Sequence, residues 1–151
     1  EGVAVSLFVL YVPGLWHQDT DGRRILGAAF GSHSMVVFAD AVKAACAAGK
    51  VLLESREARE LLCPLTEAAT WMHEFGHLIG LVDRGVPMVK PHRGEAHGHH
   101  DSNENCIMHW SHESGQIAEF IQKRLQAGRR DLRSVFDQNC RDDLEGFRES
   151  K

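Results

Sequence analysis

Apolar residues run almost unbroken from Val3 to Val12, many of them β-branched or aromatic, and the run stops at Pro13-Gly14. A run of this length and character predicts a central strand buried on both faces. The polar stretch from Gly14 to Gly22 carries the turn signal Thr20-Asp21-Gly22. Two shorter apolar runs, Ile25 to Phe30 and Met35 to Phe38, flank Gly31-Ser32-His33 and predict a hairpin or a pair of edge strands. Ala39 to Ala48 is alanine-rich, with Gly49 placed as a terminator, which predicts a short helix. Glu54 to Leu62 predicts a second helix that ends near Cys63-Pro64, since the residue before proline avoids helical geometry. Thr66 then caps a third helix with Glu67 in its first turn; Trp71, Met72, Phe75, Leu78 and Ile79 carry it to a left-handed Gly80.

From Asp83 to Asn105 the apolar period disappears into Gly, Pro and His, and a structureless segment of that length inside a domain is usually functional. Ser111 is positioned to cap a helix bearing Ile117, Phe120, Ile121 and Leu125, with Gly128 after it, and a last short helix covers Cys140 to Phe147. Strands come first and helices after, which predicts an α+β fold. No repeat or linker divides the 151 residues, so residues 1–151 form one domain. With 43% hydrophobic and 25% charged residues the chain has the make-up of a globular fold and not of a disordered one. A net charge of −4 gives no electrostatic case for nucleic acid or an anionic membrane. The Val3 to Val12 run is too short to span a bilayer. The chain opens on that run with no initiator Met, the mark of a trimmed or processed start, which favours a secreted, periplasmic or membrane-anchored precursor. Cys46, Cys63, Cys106 and Cys140 include no CxxC pair, and they allow two disulfides in any of three pairings without requiring them.

Histidine changes the picture. Of ten histidines, seven fall between His73 and His109: His73, His77, His92, His97, His99, His100 and His109. Clustered imidazoles point to a metal. Within the third predicted helix, His73-Glu74-Phe75-Gly76-His77 is an HExxH motif. Residues i and i+4 share one helix face, so both imidazoles reach one ion, and Glu74 lies where it can take a proton from a coordinated water. Zinc lowers the pKa of such a water toward about 7 and polarises a carbonyl. The expected activity is that of a zinc metallopeptidase acting on protein or peptide substrates. Two histidines leave a catalytic site one ligand short. Two rival readings are a gluzincin-type peptidase, with Glu113 or Glu119 as third ligand, and a non-catalytic zinc-binding module using the His-rich loop.

The span His73-Glu74-x-x-His77-x-x-Gly80-x-x-Asp83 resembles the extended zinc signature of the metzincin metallopeptidases, and Asp83 matches the aspartate ligand of its snapalysin-like members. The segment Cys106-Ile107-Met108-His109-Trp110 resembles the Met-turn of that clan, with Met108 as its methionine. Spacing also resembles the archaemetzincins: His100-Asp101, four residues, then Cys106-Ile107-Met108, with Asp101 where those proteins have Cys. The segment from Gly85 to Met108 is similar to a group of predicted bacterial zinc proteases. The resemblance implies a twisted mixed sheet, an active-site helix, a Met-turn and a C-terminal helix, with Zn2+ held by His73, His77 and a third ligand. That third ligand is His100, Asp83 or His97, in that order of preference. Asp83, where it is not a ligand, becomes a partner that orients an imidazole. The resemblance also implies that an edge strand between Ile25 and Phe38 binds substrate by strand addition. Two departures stand out. Trp110 occupies the place of a tyrosine that some members use on zinc and on the oxyanion, the sole tyrosine here being Tyr11. Asp101 in place of Cys removes the second zinc of archaemetzincins at that point.

Overall fold

The computed structural model describes residues 6–17, 19 and 24–150. The first part of the Val3 to Val12 run and the Thr20-Asp21-Gly22 turn lie outside those residues. Three strands form one mixed sheet: β1 (Phe8–Val12), β2 (Gly27–Phe30) and β3 (Ser34–Phe38), in the order β1-β3-β2. β1 runs parallel to β3, with Phe8 opposite Ser34 and Val12 opposite Phe38. β2 pairs antiparallel with β3, as the two apolar runs around Gly31 predict. Four helices follow among the described residues: α1 (Ala39–Gly49), α2 (Arg56–Leu78), α3 (Gln116–Gln126) and α4 (Gln138–Glu149), with 3-10 turns at Lys50–Leu52 and Trp110–Glu113. The architecture is α+β.

The central strand is β3, not the first apolar run. Met35, Val36, Val37 and Phe38 are all buried, whereas β1 lies at the sheet edge with Phe8 63% and Leu10 61% exposed. Continuous apolarity marks burial only when a strand has neighbours on both sides, and among the described residues β1 is paired on one side alone.

α2 corrects the reading of two helices broken at Pro64. It is continuous, begins at Ser55, whose hydroxyl accepts the Ala58 N–H at 3.3 Å, and carries Pro64 in its interior. Proline in a helix costs about 3 kcal/mol. That cost is met by a buried stripe of Ala58, Leu62, Thr66, Ala69 and Thr70, and by a disulfide from Cys63 to Cys46 on α1. Thr66 is therefore no cap. Its hydroxyl donates to the Leu62 carbonyl at 2.7 Å, and Thr70 donates to Thr66 at 3.0 Å, so both buried hydroxyls are satisfied inside the helix. Gly49 does not terminate α1 in a left-handed turn; its φ is −75° and the chain continues into the 3-10 turn. Nor does Ser111 cap α3, which starts after Gly115. Ser111 lies on the second 3-10 turn with its hydroxyl 2.8 Å from His109 Nδ1. α4 starts earlier than expected because Asp137 accepts the Cys140 N–H at 3.0 Å.

Gly80 does follow the end of α2 in left-handed geometry, with φ +89°, and a Cβ there would stand 3.1 Å from the Val86 nitrogen. The Val86 N–H donates back to the Gly80 carbonyl at 2.9 Å, so the chain doubles on itself immediately beyond α2. Among the described residues no helix is long and apolar enough to cross a membrane.

The Cys46–Cys63 bridge closes a loop of sequence separation 17 between α1 and α2. Replacing both cysteines with serine is expected to lower stability by about 3 kcal/mol, read as a shift in the denaturant midpoint. An unchanged midpoint would mean that packing alone holds the proline-bearing helix.

Candidate metal centre

The second half of α2 presents His73 and His77 one turn apart, both buried, with Glu74 beside them and only 2% exposed. The His73 ring is fixed from below. Its Nδ1 lies 2.7 Å from the Ile107 carbonyl, which can only accept, so Nδ1 carries the proton and Nε2 is left with a bare lone pair. His100 is oriented in the same way: its Nδ1 donates to the His97 carbonyl at 2.6 Å, which turns its Nε2 toward the other two rings. The Nε2 of His77 is 3.2 Å from each of these nitrogens. Glu113, at the end of the second 3-10 turn, brings Oε1 to 3.1 Å from His100 Nε2. These four donor atoms all lie within 4.8 Å of one another.

The arrangement suits a cation. A tetrahedral ion with bonds of about 2.0–2.1 Å holds its ligands about 3.3 Å apart, close to the 3.2, 3.2 and 3.1 Å of the adjacent pairs. The widest pairs stand farther apart, so closing round an ion calls for side-chain shifts on the order of 1 Å. Three imidazoles and a carboxylate are a borderline donor set that accepts zinc and neighbouring divalent ions.

Burial, reinforced by the neighbouring histidines, holds His73 well below the ordinary imidazole range and His77 at about 2, so both stay neutral and able to ligate. Glu74 moves the other way. Burial first, and then the charge of Glu113, push its carboxyl up to about 8, against the counter-pull of Arg84 and of the Ala29 N–H. Gly27 on β2 makes room for it: a Cβ there would come within 2.9 Å of Glu74 Cγ. Beneath the helix, fully buried Met108 packs directly on Gly76, at a point where any Cβ would collide with its sulfur.

His100 arrives on a loop without regular elements, pinned at its base. His92 spans two fully buried carboxylates, with Nδ1 2.7 Å from Asp101 and Nε2 2.7 Å from Asp143 of α4. Burial opposes charge on this ring, but the bonds to Asp143 and Asp101 outweigh it and raise the pKa. Asp101 is held in turn by its N–H to the Met108 carbonyl at 2.9 Å, and Gly94 N–H donates to His100 O at 2.8 Å. A second grouping that could hold a metal comprises His92, Asp101, Asp137 and Cys140, although both nitrogens of His92 are already engaged by carboxylates.

Thus His73, His77 and His100 come together with Glu74 alongside. Asp83 does not join them: it is exposed, sits in a left-handed conformation with φ +62°, and pairs with Arg93 at 2.8 Å. His97 stacks on Trp110, ring centroids 4.2 Å apart, and reaches the centre only through its backbone carbonyl. Glu119 is exposed on α3, outside the four-residue grouping. The Ile107 carbonyl, Gly27, and the His92–Asp143 clamp carried no sequence signal, because each acts through tertiary contact. Comparison of the chain with family models, with curated proteins and with solved structures found no match.

Gly76→Ala forces Met108 from an enclosed position and is expected to cost about 1–3 kcal/mol in denaturation experiments. Wild-type stability there would mean that Met108 is not packed against the helix.

Two limbs are expected in the pH dependence of stability with chelator present. His77 and His112, pulled by burial to about 2 and about 3, take up protons on unfolding, so stability falls as pH drops below 6.5. Glu74, raised from 4.5 to about 8, is protonated when folded and ionised when unfolded between those values, so stability also falls as pH climbs through that window. Denaturant midpoints against pH check both limbs, and Glu74→Gln should remove only the alkaline one.

Proposed function

We propose that the chain is a zinc-dependent endopeptidase of metzincin-like type, hydrolysing peptide bonds in protein or peptide substrates. His73, His77 and His100 hold the ion and Glu74 is the general base. The observation that carries this reading is the convergence of three Nε2 atoms, two of them on rings oriented by carbonyl acceptors at Nδ1, beside the buried carboxylate of Glu74 on α2. A site built only to hold a metal has no need of that carboxylate. When bound, zinc supplies Lewis acidity, polarising the scissile carbonyl and making a water acidic enough to lose its proton near neutral pH.

The remaining work belongs to side chains. Glu74 receives the proton of the attacking water and returns it to the leaving amine. The Ile107 and His97 carbonyls keep two imidazoles in the ligating tautomer. Met108 supports the helix from below, in keeping with a Met-turn. The β2 strand lies at the sheet edge next to Glu74, and its Ala29 N–H reaches that carboxylate, which favours an extended substrate lying along β2. The Cys46–Cys63 bridge supports an oxidising compartment such as the periplasm or the cell exterior. A second reading, a non-catalytic zinc module, draws on Glu113, whose carboxylate gives the centre a fourth protein group.

Cleavage of casein by wild type and by Glu74→Gln, with zinc content measured in both, tests the proposal. The substitution is expected to lower turnover by about 10²–10⁴-fold at unchanged zinc content. Two zinc-loaded proteins that both leave casein intact would overturn it and favour the non-catalytic module.

A further inference from the structure

Glu113 is set apart from the other three members of the centre. His73 is fully buried inside α2, and His100 is held in its loop by a 2.6 Å bond to the His97 carbonyl. Glu113 instead ends a 3-10 turn, and its side chain retains 30% of its solvent exposure. Its main chain is anchored independently of its carboxylate, because the Glu113 carbonyl accepts the Leu26 N–H at 3.0 Å, at the entrance to β2. The main-chain anchor at Leu26 is thus independent of which way the carboxylate points.

We propose that Glu113 is a displaceable fourth ligand, closing the metal centre in the resting chain and swinging out to admit substrate. The inference rests on the metal reading above and adds to it how that site is held shut. Three features support it. Oε1 stands 3.1 Å from His100 Nε2, the spacing of neighbouring corners of a tetrahedral site. Four protein groups close a zinc site, whereas catalysis needs one corner open. And of the four donors, Glu113 has the most solvent-exposed side chain, placed at the end of a turn where it can swing toward solvent. Its anchor at Leu26 also lies beside the strand along which substrate would bind, so a peptide adding to β2 would arrive next to the group it has to displace.

The test compares wild type, Glu113→Gln and Glu113→Ala, each loaded with cobalt(II) as an optical stand-in for zinc. Glutamine keeps the size of the side chain and ligates poorly, so it separates lost coordination from lost packing. Wild type is expected to give the intense visible absorption of a four-coordinate centre. Both variants are expected to show a shifted and weaker band, and to lose zinc to a competing chelator about 10- to 100-fold more readily. Casein turnover per bound zinc should rise severalfold in both. Identical cobalt spectra and chelator midpoints in wild type and Glu113→Gln would overturn the proposal. So would a fall in turnover to the level of Glu74→Gln, which would put Glu113 to work on substrate. Absence of any cobalt band in wild type would instead bring down the metal reading itself.

Discussion

One buried imidazole holds the centre together. The stretch between α2 and the second 3-10 turn has no helix or strand to stiffen it, yet it must deliver His100 to within 3.2 Å of His77. His92 makes this possible by donating to Asp101 on one side and Asp143 on the other, all three groups being buried. Removing one partner of a buried ion pair leaves an uncompensated charge, at a cost of about 3–5 kcal/mol. The loop is thereby tied to a single arrangement. Asp101 passes that constraint to its neighbour His100, and through its own N–H to Met108, so loop and turn are aligned by one residue.

A second junction lies below the helix. The Ile107 carbonyl receives His73 at 2.7 Å and His112 at 3.2 Å, so one oxygen orients a ring from α2 and a ring from the following turn. The adjacent Met108 needs the absence of a side chain at Gly76 to approach so closely. Gly27 does the same for Glu74 from the opposite side. The HExxH helix is thus held between two places where only a glycine fits, one above and one below, which leaves the face bearing His73, Glu74 and His77 little freedom to rotate.

What could be read from the sequence was local. His73, Glu74 and His77 share a face because helical geometry requires it, and the hairpin of β2 and β3 follows from two short apolar runs around a turn. The α+β order of elements was legible for the same reason. The errors arose where tertiary contacts override local signals. The first apolar run reads as a central strand, but β3 takes the middle and leaves β1 exposed. Cys63-Pro64 reads as a break, but a disulfide and a buried stripe carry α2 through it. Asp83 matches a ligand by spacing, but a left-handed backbone turns its side chain out to Arg93. Glu113 was readable only as one of two acidic candidates, since nothing near it in the chain reveals that His100 lies within reach.

The clamp on His92 has a consequence for how the molecule comes into being. Asp143, which closes that clamp, is contributed by α4, the last helix of the fold, while the HExxH helix is complete far earlier along the chain. As the polypeptide emerges during synthesis, α2 can form with its two histidines in place while the loop bearing His100 still lacks its anchor. Until α4 docks, the grouping of His73, His77, His100 and Glu113 lacks the Asp143 half of that clamp. A nascent chain therefore carries the motif of the centre well before it carries the centre, and α4, which supplies no ligand to it, decides when the centre exists.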